Sequence, residues 1–150
     1  MYRTTDRAGK PIAVTGIVLT PQDRPPAPRP IVAFAPGTQG LADKCAPSRP
    51  MAAGTGYEAR PVKHLLDRGY AFVVTDYQGL GTPGVHTYMT REAQGRAVLD
   101  SLRAAQCLQG AHLPDAGPVA VYGYSQGGGA AASAAELAPT YAPELQIKGC

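Results

Sequence analysis

The chain has 150 residues, of which 44% are hydrophobic and 17% charged, and a formal net charge of +3. This composition is typical of one globular domain and excludes a disordered tail. The Lys and Arg residues form no block, so we expect no nucleic-acid partner. No apolar run is long enough for an integral membrane segment, and the first residues lack the apolar core of a signal peptide. The 3 cysteines have no CxxC spacing, so we expect neither a zinc site nor another metal site.

The N-terminal third predicts strands and one exposed loop. Residues 12–19, "IAVTGIVL", are rich in β-branched side chains and follow the turn-like "DRAGKP", which predicts a hairpin over residues 2–19. Residues 21–30 hold five prolines and predict an exposed loop within the domain. Residues 31–35, "IVAFA", form a continuous apolar run that predicts a strand buried on both faces.

A helix is predicted in "YEARPVKHLLDRGY". Val62, Leu65 and Leu66 recur at helical spacing, and Gly69 lies where a C-cap belongs. The next apolar run, residues 70–77, predicts another buried strand.

Thr90 is suited to cap a longer helix, with Glu92 in its first turn. One face of that helix is apolar or small, and it consists of Ala93, Ala97, Val98, Ser101, Leu102 and Ala105. A third apolar run, "VAVYG", follows at residues 119–123. Strands that alternate with helices at these spacings predict an α/β fold with a mostly parallel sheet and helices on both faces.

The stretch "GYSQG" at residues 123–127 has the pattern of a nucleophile elbow. Gly123 and Gly127 flank Ser125 at minus two and plus two, where side chains would clash in a tight strand-to-helix turn. Such a turn exposes the hydroxyl above the carboxyl edge of the sheet, where it can act as a nucleophile. The alternative is an ordinary glycine-rich turn whose serine caps the helix.

Two backbone N–H groups would complete an oxyanion hole. The small residues after Ser125 let the helix approach the sheet closely, and the N–H of Gln126 is the first donor. The loop "PGTQG" after the first buried strand faces the nucleophile in this architecture, so Gln39 or Thr38 is the second. The alternative for this loop is a simple turn closed by its glycines.

Four segments of the chain resemble the secretory lipase family, the lipase A-like branch of the α/β-hydrolases. They are "CAPS" at 45–48, "DYQGLGTPG" at 76–84, "REAQGRAVLDSLRAA" at 91–105 and "GYSQGGGAAASAAELAPTYAPEL" at 123–145. The resemblance implies the α/β-hydrolase fold and hydrolysis of carboxylic esters, including triacylglycerols, without a cofactor. It also implies that Ser125 is the nucleophile of a Ser-Asp-His triad, and that Gln126 and Gln39 supply the oxyanion donors.

The same resemblance implies an exported protein that acts on lipid or small-molecule esters, and it leaves contact with a lipid interface open. It further implies that Cys45 pairs with a cysteine beyond residue 150. In α/β-hydrolases the triad runs Ser, then Asp or Glu, then His, yet the residues after Ser125 include no His and no Asp. We therefore expect residues 1–150 to be the N-terminal part of a single α/β-hydrolase domain, truncated after the nucleophile helix, with the C-terminal half absent and no activity alone.

The polar residues elsewhere fit other roles better. His86 lies on the functional side of the sheet and could touch substrate, but its place in chain order is wrong for the base. Asp76 ends a buried strand and is interpreted as a structural carboxylate, with a catalytic role as the alternative. His64 is expected on a solvated helix face and His112 in a turn. Two further functions stay open: a cutinase-like or peptidase-like serine hydrolase, and a non-catalytic α/β-hydrolase-like module.

Overall fold

The computed structural model describes residues 1–23, 28–113 and 117–150. Its strands are β1 (Tyr2–Thr5), β2 (Pro11–Val14), β3 (Gly16–Leu19), β4 (Ile31–Ala35), β5 (Ala71–Thr75), β6 (Val119–Gly123) and β7 (Ile147–Gly149). Its α-helices are α1 (Ser48–Ala52), α2 (Ala59–Leu66), α3 (Arg91–Gln106) and α4 (Gln126–Tyr141). A 3-10 turn covers Asp43–Cys45. Residues 24–27 of the predicted Pro-rich loop lie outside the described residues.

The main sheet has five strands in the order β3-β5-β4-β6-β7. Strand β3 is antiparallel to β5, and the remaining neighbours are parallel. The register pairs Ala35 with Gly123, so β4 and β6 end at the same edge of the sheet. The predicted α/β class and the mostly parallel sheet are therefore confirmed.

The predicted hairpin over residues 2–19 is too long. The hairpin is formed by β1 and β2 alone, which pair Tyr2 with Val14 and Thr5 with Pro11. The chain leaves this ribbon at Thr15, whose carbonyl accepts the Asp76 N–H at 2.9 Å. Strand β3 then joins the main sheet. Gly16 permits that pairing, because a Cβ there would lie 2.5 Å from the Val74 carbonyl oxygen.

Helices cover both faces of the sheet, as predicted. Helices α3 and α4 pack on one face, where Ile31, Ala33 and Ala35 of β4 join their buried side chains in the larger core cluster. Helices α1 and α2 pack on the other face. There Met51 and Val62 form a second core cluster with Phe34 and with the side chains of β5 that point to the same face. All five residues of β4 are buried, which explains their unbroken apolar pattern.

Two predicted helix caps differ in detail from the structure. Helix α2 ends at Leu66 with Asp67 as its C-cap, and Gly69 follows with φ +90°. The Gly69 carbonyl accepts a hydrogen bond from buried Arg29 at 2.6 Å. Thr90 occupies the N-cap of α3, but its side chain makes no capping hydrogen bond. The residues predicted for the buried face of α3, from Ala93 to Ala105, are all buried.

A polar network joins α3 to the end of α4. The Tyr141 hydroxyl donates to the buried carboxylate of Asp100 at 2.7 Å, and Arg103 donates to the other Asp100 oxygen at 2.8 Å. Arg103 also donates to the Tyr141 carbonyl and to Glu144. Because every donor has a charged or carbonyl acceptor, the network fixes the packing of the two helices.

All three cysteines lie in the described part of the chain and are free: Cys45 is half-buried, while Cys107 and Cys150 are exposed. Within the described ranges, no helix combines the length and the apolar character that a membrane span requires.

Tyr141→Phe is expected to lower the free energy of unfolding by about 1–3 kcal/mol, because the buried Asp100 carboxylate loses a donor while the ring stays in place. Urea unfolding followed by circular dichroism measures the change. Tyr122→Phe is the control, since Tyr122 is half exposed and its hydroxyl has no partner among the described residues. Equal stability of the two variants would show that the network contributes nothing.

Candidate active site

The turn between β6 and α4 has the geometry of a strained elbow. Ser125 lies at the N-cap of α4 with φ 56° and ψ −119°, a backbone region that non-glycine residues rarely adopt. The Gly127 N–H donates to the Tyr124 carbonyl at 2.8 Å and closes the turn. Ser125 is exposed, and its side chain makes no capping hydrogen bond. The alternative of a capping serine therefore lacks the hydrogen bond that it requires.

Close backbone contacts explain both glycines of the turn. A Cβ at Gly127 would overlap the Ala35 carbonyl group, 2.7 Å from its carbon, and would lie 2.9 Å from the Pro36 carbonyl carbon. A Cβ at Gly123 would overlap the Gly127 carbonyl. The ends of β4 and β6 and the first turn of α4 thus meet without side chains between them.

Gln126 is buried, and its side chain is paired with a histidine. The Nε2 atoms of Gln126 and His86 are 2.9 Å apart, and His86 Nδ1 is 3.0 Å from the Gln78 carbonyl oxygen. A carbonyl oxygen only accepts, so Nδ1 carries the proton and Nε2 accepts from the Gln126 amide. His86 therefore lies against the residue that follows Ser125, with both ring nitrogens occupied. No feature of the sequence predicted this pairing.

The loop after β4, residues 36–40, lies beside the elbow. A Cβ at Gly37 would be 3.3 Å from the Tyr124 carbonyl oxygen, next to Ser125. The Tyr77 hydroxyl donates to the Pro36 carbonyl at 2.9 Å, which anchors the loop to the end of β5. Thr38 is exposed and Gln39 is half-buried. The predicted position of this loop next to the nucleophile agrees with the geometry.

Glu58 contacts this loop and was missed by the sequence analysis. Its side chain is only 5% exposed, and its carboxylate accepts the Gly37 N–H at 3.0 Å and the Gln39 amide at 3.4 Å. Burial raises the pKa of Glu58, although hydrogen bonds from Gly37, Tyr57 and Gln39 oppose that shift. An acidic residue just before a helix ordinarily indicates a solvated first turn, so the sequence pattern hides its burial.

Asp76 is a structural carboxylate, as expected. It is fully buried and accepts two hydrogen bonds from Ser48, from the backbone N–H and from the hydroxyl, both at 2.6 Å. These bonds tie the "CAPS" segment to the start of "DYQGLGTPG". The other histidines lie elsewhere: His64 is on exposed α2 beside Arg68, and His112 is exposed with φ 51°.

The sequence profile of the secretory lipase family matches residues 46–150. The chain belongs to the secretory lipase family. The match covers all the elements from α1 to β7, including the elbow, and agrees with the resemblance that the four segments carry. The α/β-hydrolase fold of this family member is supported by solved structures as well.

Among proteins similar to this family member, one named "Probable inactive lipase MT1628", from Mycobacterium tuberculosis, is 33% identical over 99% of this chain and 34% of its own length. The solved structure of Candida antarctica lipase A is 30% identical with a TM-score of 0.81, over 97% of this chain and 34% of that one. A ligand-bound rice cell wall degrading esterase LipA from Xanthomonas oryzae has a TM-score of 0.80 at 30% identity, over 97% of this chain and 38% of that one. The chain thus spans about a third of the length of these relatives.

Gly127→Ala is expected to destabilise the protein by about 1–3 kcal/mol or more, because the added methyl group overlaps the Ala35 carbonyl and forces the backbone apart. The matched control is Gly128→Ala, since a Cβ there meets only the Gly123 carbonyl oxygen at 3.7 Å. That variant is expected to gain up to about 1 kcal/mol from helix propensity. Thermal unfolding of both proteins measures the difference, and a stable Gly127→Ala protein would contradict the close contact.

Proposed function

We propose that the protein containing this chain is a carboxylic ester hydrolase of the lipase or esterase type, acting through an acyl-serine intermediate on Ser125. One observation carries the proposal: Ser125 is exposed on a strained turn beside residues 36–40, and its hydroxyl makes no hydrogen bond that caps α4. A serine in this setting can attack an ester carbonyl once a base takes its proton.

The oxyanion of the tetrahedral intermediate needs donors on the same side. The Gln126 N–H begins α4 and has no acceptor among the described residues. The Gly37 N–H is occupied by Glu58, which leaves the backbone N–H groups of Thr38 and Gln39 as the candidates from the loop. We assign the hole to Gln126 and Gln39, with Thr38 as the alternative.

Exposed apolar side chains around the elbow favour a lipid or other apolar ester as substrate. They are Tyr57, Val85, Tyr88, Met89 and Tyr124, each at least half exposed. Tyr57 lies by Gly37, and Met89 lies over Gly129 of α4. An apolar rim at the carboxyl edge suits an acyl chain and also a lipid interface. The names of the lipase and esterase relatives point to the same substrate class, and the family, described as secretory lipases, points to an exported protein.

The base and the acid of the triad are proposed to come from outside these 150 residues. Both nitrogens of His86 have partners other than Ser125, and the serine hydroxyl has no hydrogen-bond partner in the described part of the chain. His64 and His112 are exposed, and they lie in segments that lead into the starts of β5 and β6, at the edge of the sheet opposite to the elbow.

A second candidate is a non-catalytic α/β-hydrolase-like module, which the relative named as a probable inactive lipase favours. In that case the elbow would be kept only as a structural turn. The cutinase-like or peptidase-like alternative has no support in the matched family. Reactivity of Ser125 separates the first candidate from the second.

Ser125→Ala is expected to abolish labelling by a fluorophosphonate probe in the protein that contains this chain, and to lower kcat on a short-chain nitrophenyl ester by at least about 10⁴-fold. The reason is that no other hydroxyl stands on the elbow. In-gel fluorescence and absorbance at the nitrophenolate band measure the two effects.

Ser133→Ala is the matched control, because Ser133 lies on the same helix and donates to the Gly129 carbonyl at 2.7 Å. It is expected to keep both labelling and turnover. An unlabelled wild-type protein would favour the non-catalytic module, and labelling that survives Ser125→Ala would refute the nucleophile assignment.

Residues 1–150 alone are expected to show no ester turnover above background, since no histidine is placed to take the Ser125 proton. The purified chain is assayed on the same nitrophenyl ester. Turnover that disappears in Ser125→Ala and in His86→Phe would contradict this expectation and would identify His86 as the base.

A further inference from the structure

A buried carboxylate holds the loop beside the elbow from the side of α2. Glu58 is the N-cap residue of α2, with φ −90° and ψ 0°, yet its side chain makes no capping hydrogen bond to that helix. It turns instead to the loop: one oxygen accepts the Gly37 N–H at 3.0 Å, and the other faces the Gln39 amide at 3.4 Å.

This carboxylate has no counter-ion among the residues that the structure describes. The ion pairs in the described part of the chain do not include Glu58, although the side chain is 5% exposed. An unpaired buried carboxylate costs free energy that an apolar residue of similar size would not. Stability of the fold therefore does not explain why an acid occupies this position.

The hydrogen bonds do account for it. The Gly37 N–H, which belongs to the Pro36–Gly37 peptide unit, donates to Glu58 and fixes one side of that peptide plane. On the other side, the Pro36 carbonyl accepts the buried Tyr77 hydroxyl. Because this one peptide unit is held at both its N–H and its carbonyl, the loop has a fixed orientation for the N–H groups that follow.

We propose that Glu58 is a positioning residue of the esterase site: its carboxylate holds residues 36–40 so that the backbone N–H of Thr38 or Gln39 faces the oxyanion formed at Ser125. This inference rests on the proposed function. Glu58 does not touch the substrate, and it acts only through the loop.

Replacing the Glu58 carboxylate by a neutral group is expected to have an unusual effect on the free energy of unfolding. Burial raises the pKa of Glu58, so the folded protein binds this proton more tightly than the unfolded chain does. Above the raised pKa the ionised carboxylate opposes folding, and this penalty disappears as the pH falls through that pKa. A neutral replacement that keeps an acceptor for the Gly37 N–H is therefore expected to be at least as stable as the wild type at neutral pH, and to lose that advantage in acid.

The experiment compares Glu58→Leu and Glu58→Gln in the protein that contains this chain. Glu58→Leu removes both acceptors, and a displaced oxyanion donor is expected to lower kcat by about 10²-fold while KM changes by less than about twofold. Glu58→Gln keeps an amide oxygen for the Gly37 N–H, so its kcat is expected to stay within about tenfold of wild type. The melting temperature of Glu58→Gln is expected to match or exceed that of the wild type at neutral pH, whereas Glu58→Leu also leaves the buried Gly37 N–H without an acceptor, which opposes that gain.

Glu136→Leu is the control, because Glu136 is an exposed glutamate on α4 paired with Arg91. It is expected to leave kcat unchanged. Hydrogen exchange of the Gly37 amide adds a readout without turnover: exchange rises in Glu58→Leu and stays slow in Glu58→Gln.

Unchanged kcat and unchanged Gly37 exchange in Glu58→Leu would overturn the inference. So would a loss of stability in both variants that parallels their loss of activity, because that pattern indicates a purely structural role. If the wild type shows no turnover that depends on Ser125, the proposed function fails, and Gly37 exchange still decides whether Glu58 holds the loop.

Discussion

The contact between the backbones of β4 and α4 sets the arrangement of the candidate site. Gly127 rests against the Ala35 carbonyl, and Gly123 rests against the Gly127 carbonyl, with no room for a Cβ at either position. Because β4 and β6 are paired in parallel with Ala35 opposite Gly123, the serine turn and the loop after β4 emerge side by side. The distance between nucleophile and loop is therefore set by main-chain packing, which side-chain motion cannot change.

Buried carboxylates join parts of the chain that are far apart in sequence. Asp76 ties the "CAPS" segment to the end of β5, and Asp100 joins α3 to Tyr141 of α4. Glu58 joins the start of α2 to the loop beside the elbow. Asp100 has an arginine partner, while Asp76 and Glu58 accept only from neutral groups in the described chain. The four segments that identify the family contain both ends of the Asp76 and Asp100 links, whereas both ends of the Glu58 link lie outside them.

Local sequence patterns predicted the elements of the fold whose own side chains are buried. The apolar runs of β4 and β5 and the face of α3 predicted these elements correctly, because burial on both faces or at helical spacing leaves a direct mark on composition. The run of β6 also predicted its strand, although Tyr122 is exposed there. The elbow was predictable for a similar reason, because close backbone contacts at its two glycines leave no room for a side chain.

Features that depend on tertiary partners left no such mark. The hairpin ends at Thr15 because β3 pairs with β5, a strand far along the chain. The burial of Glu58 depends on the loop folding over it, and the His86 contact with Gln126 depends on where a glycine-rich loop crosses the first turn of α4. Thr90 is of a residue type that commonly caps helices, but its hydroxyl makes no capping hydrogen bond.

The backbone conformation of Ser125 has a consequence for which substitutions the turn can accept. A residue with a side chain at φ 56° and ψ −119° is held about 1–3 kcal/mol above a relaxed conformation, whereas glycine adopts that region without a steric penalty. Substitution of Ser125 by glycine would therefore relieve the backbone strain of the turn and leave the packing of β4, β6 and α4 unchanged. In this chain the serine hydroxyl is thus present at a cost in backbone strain that glycine would avoid.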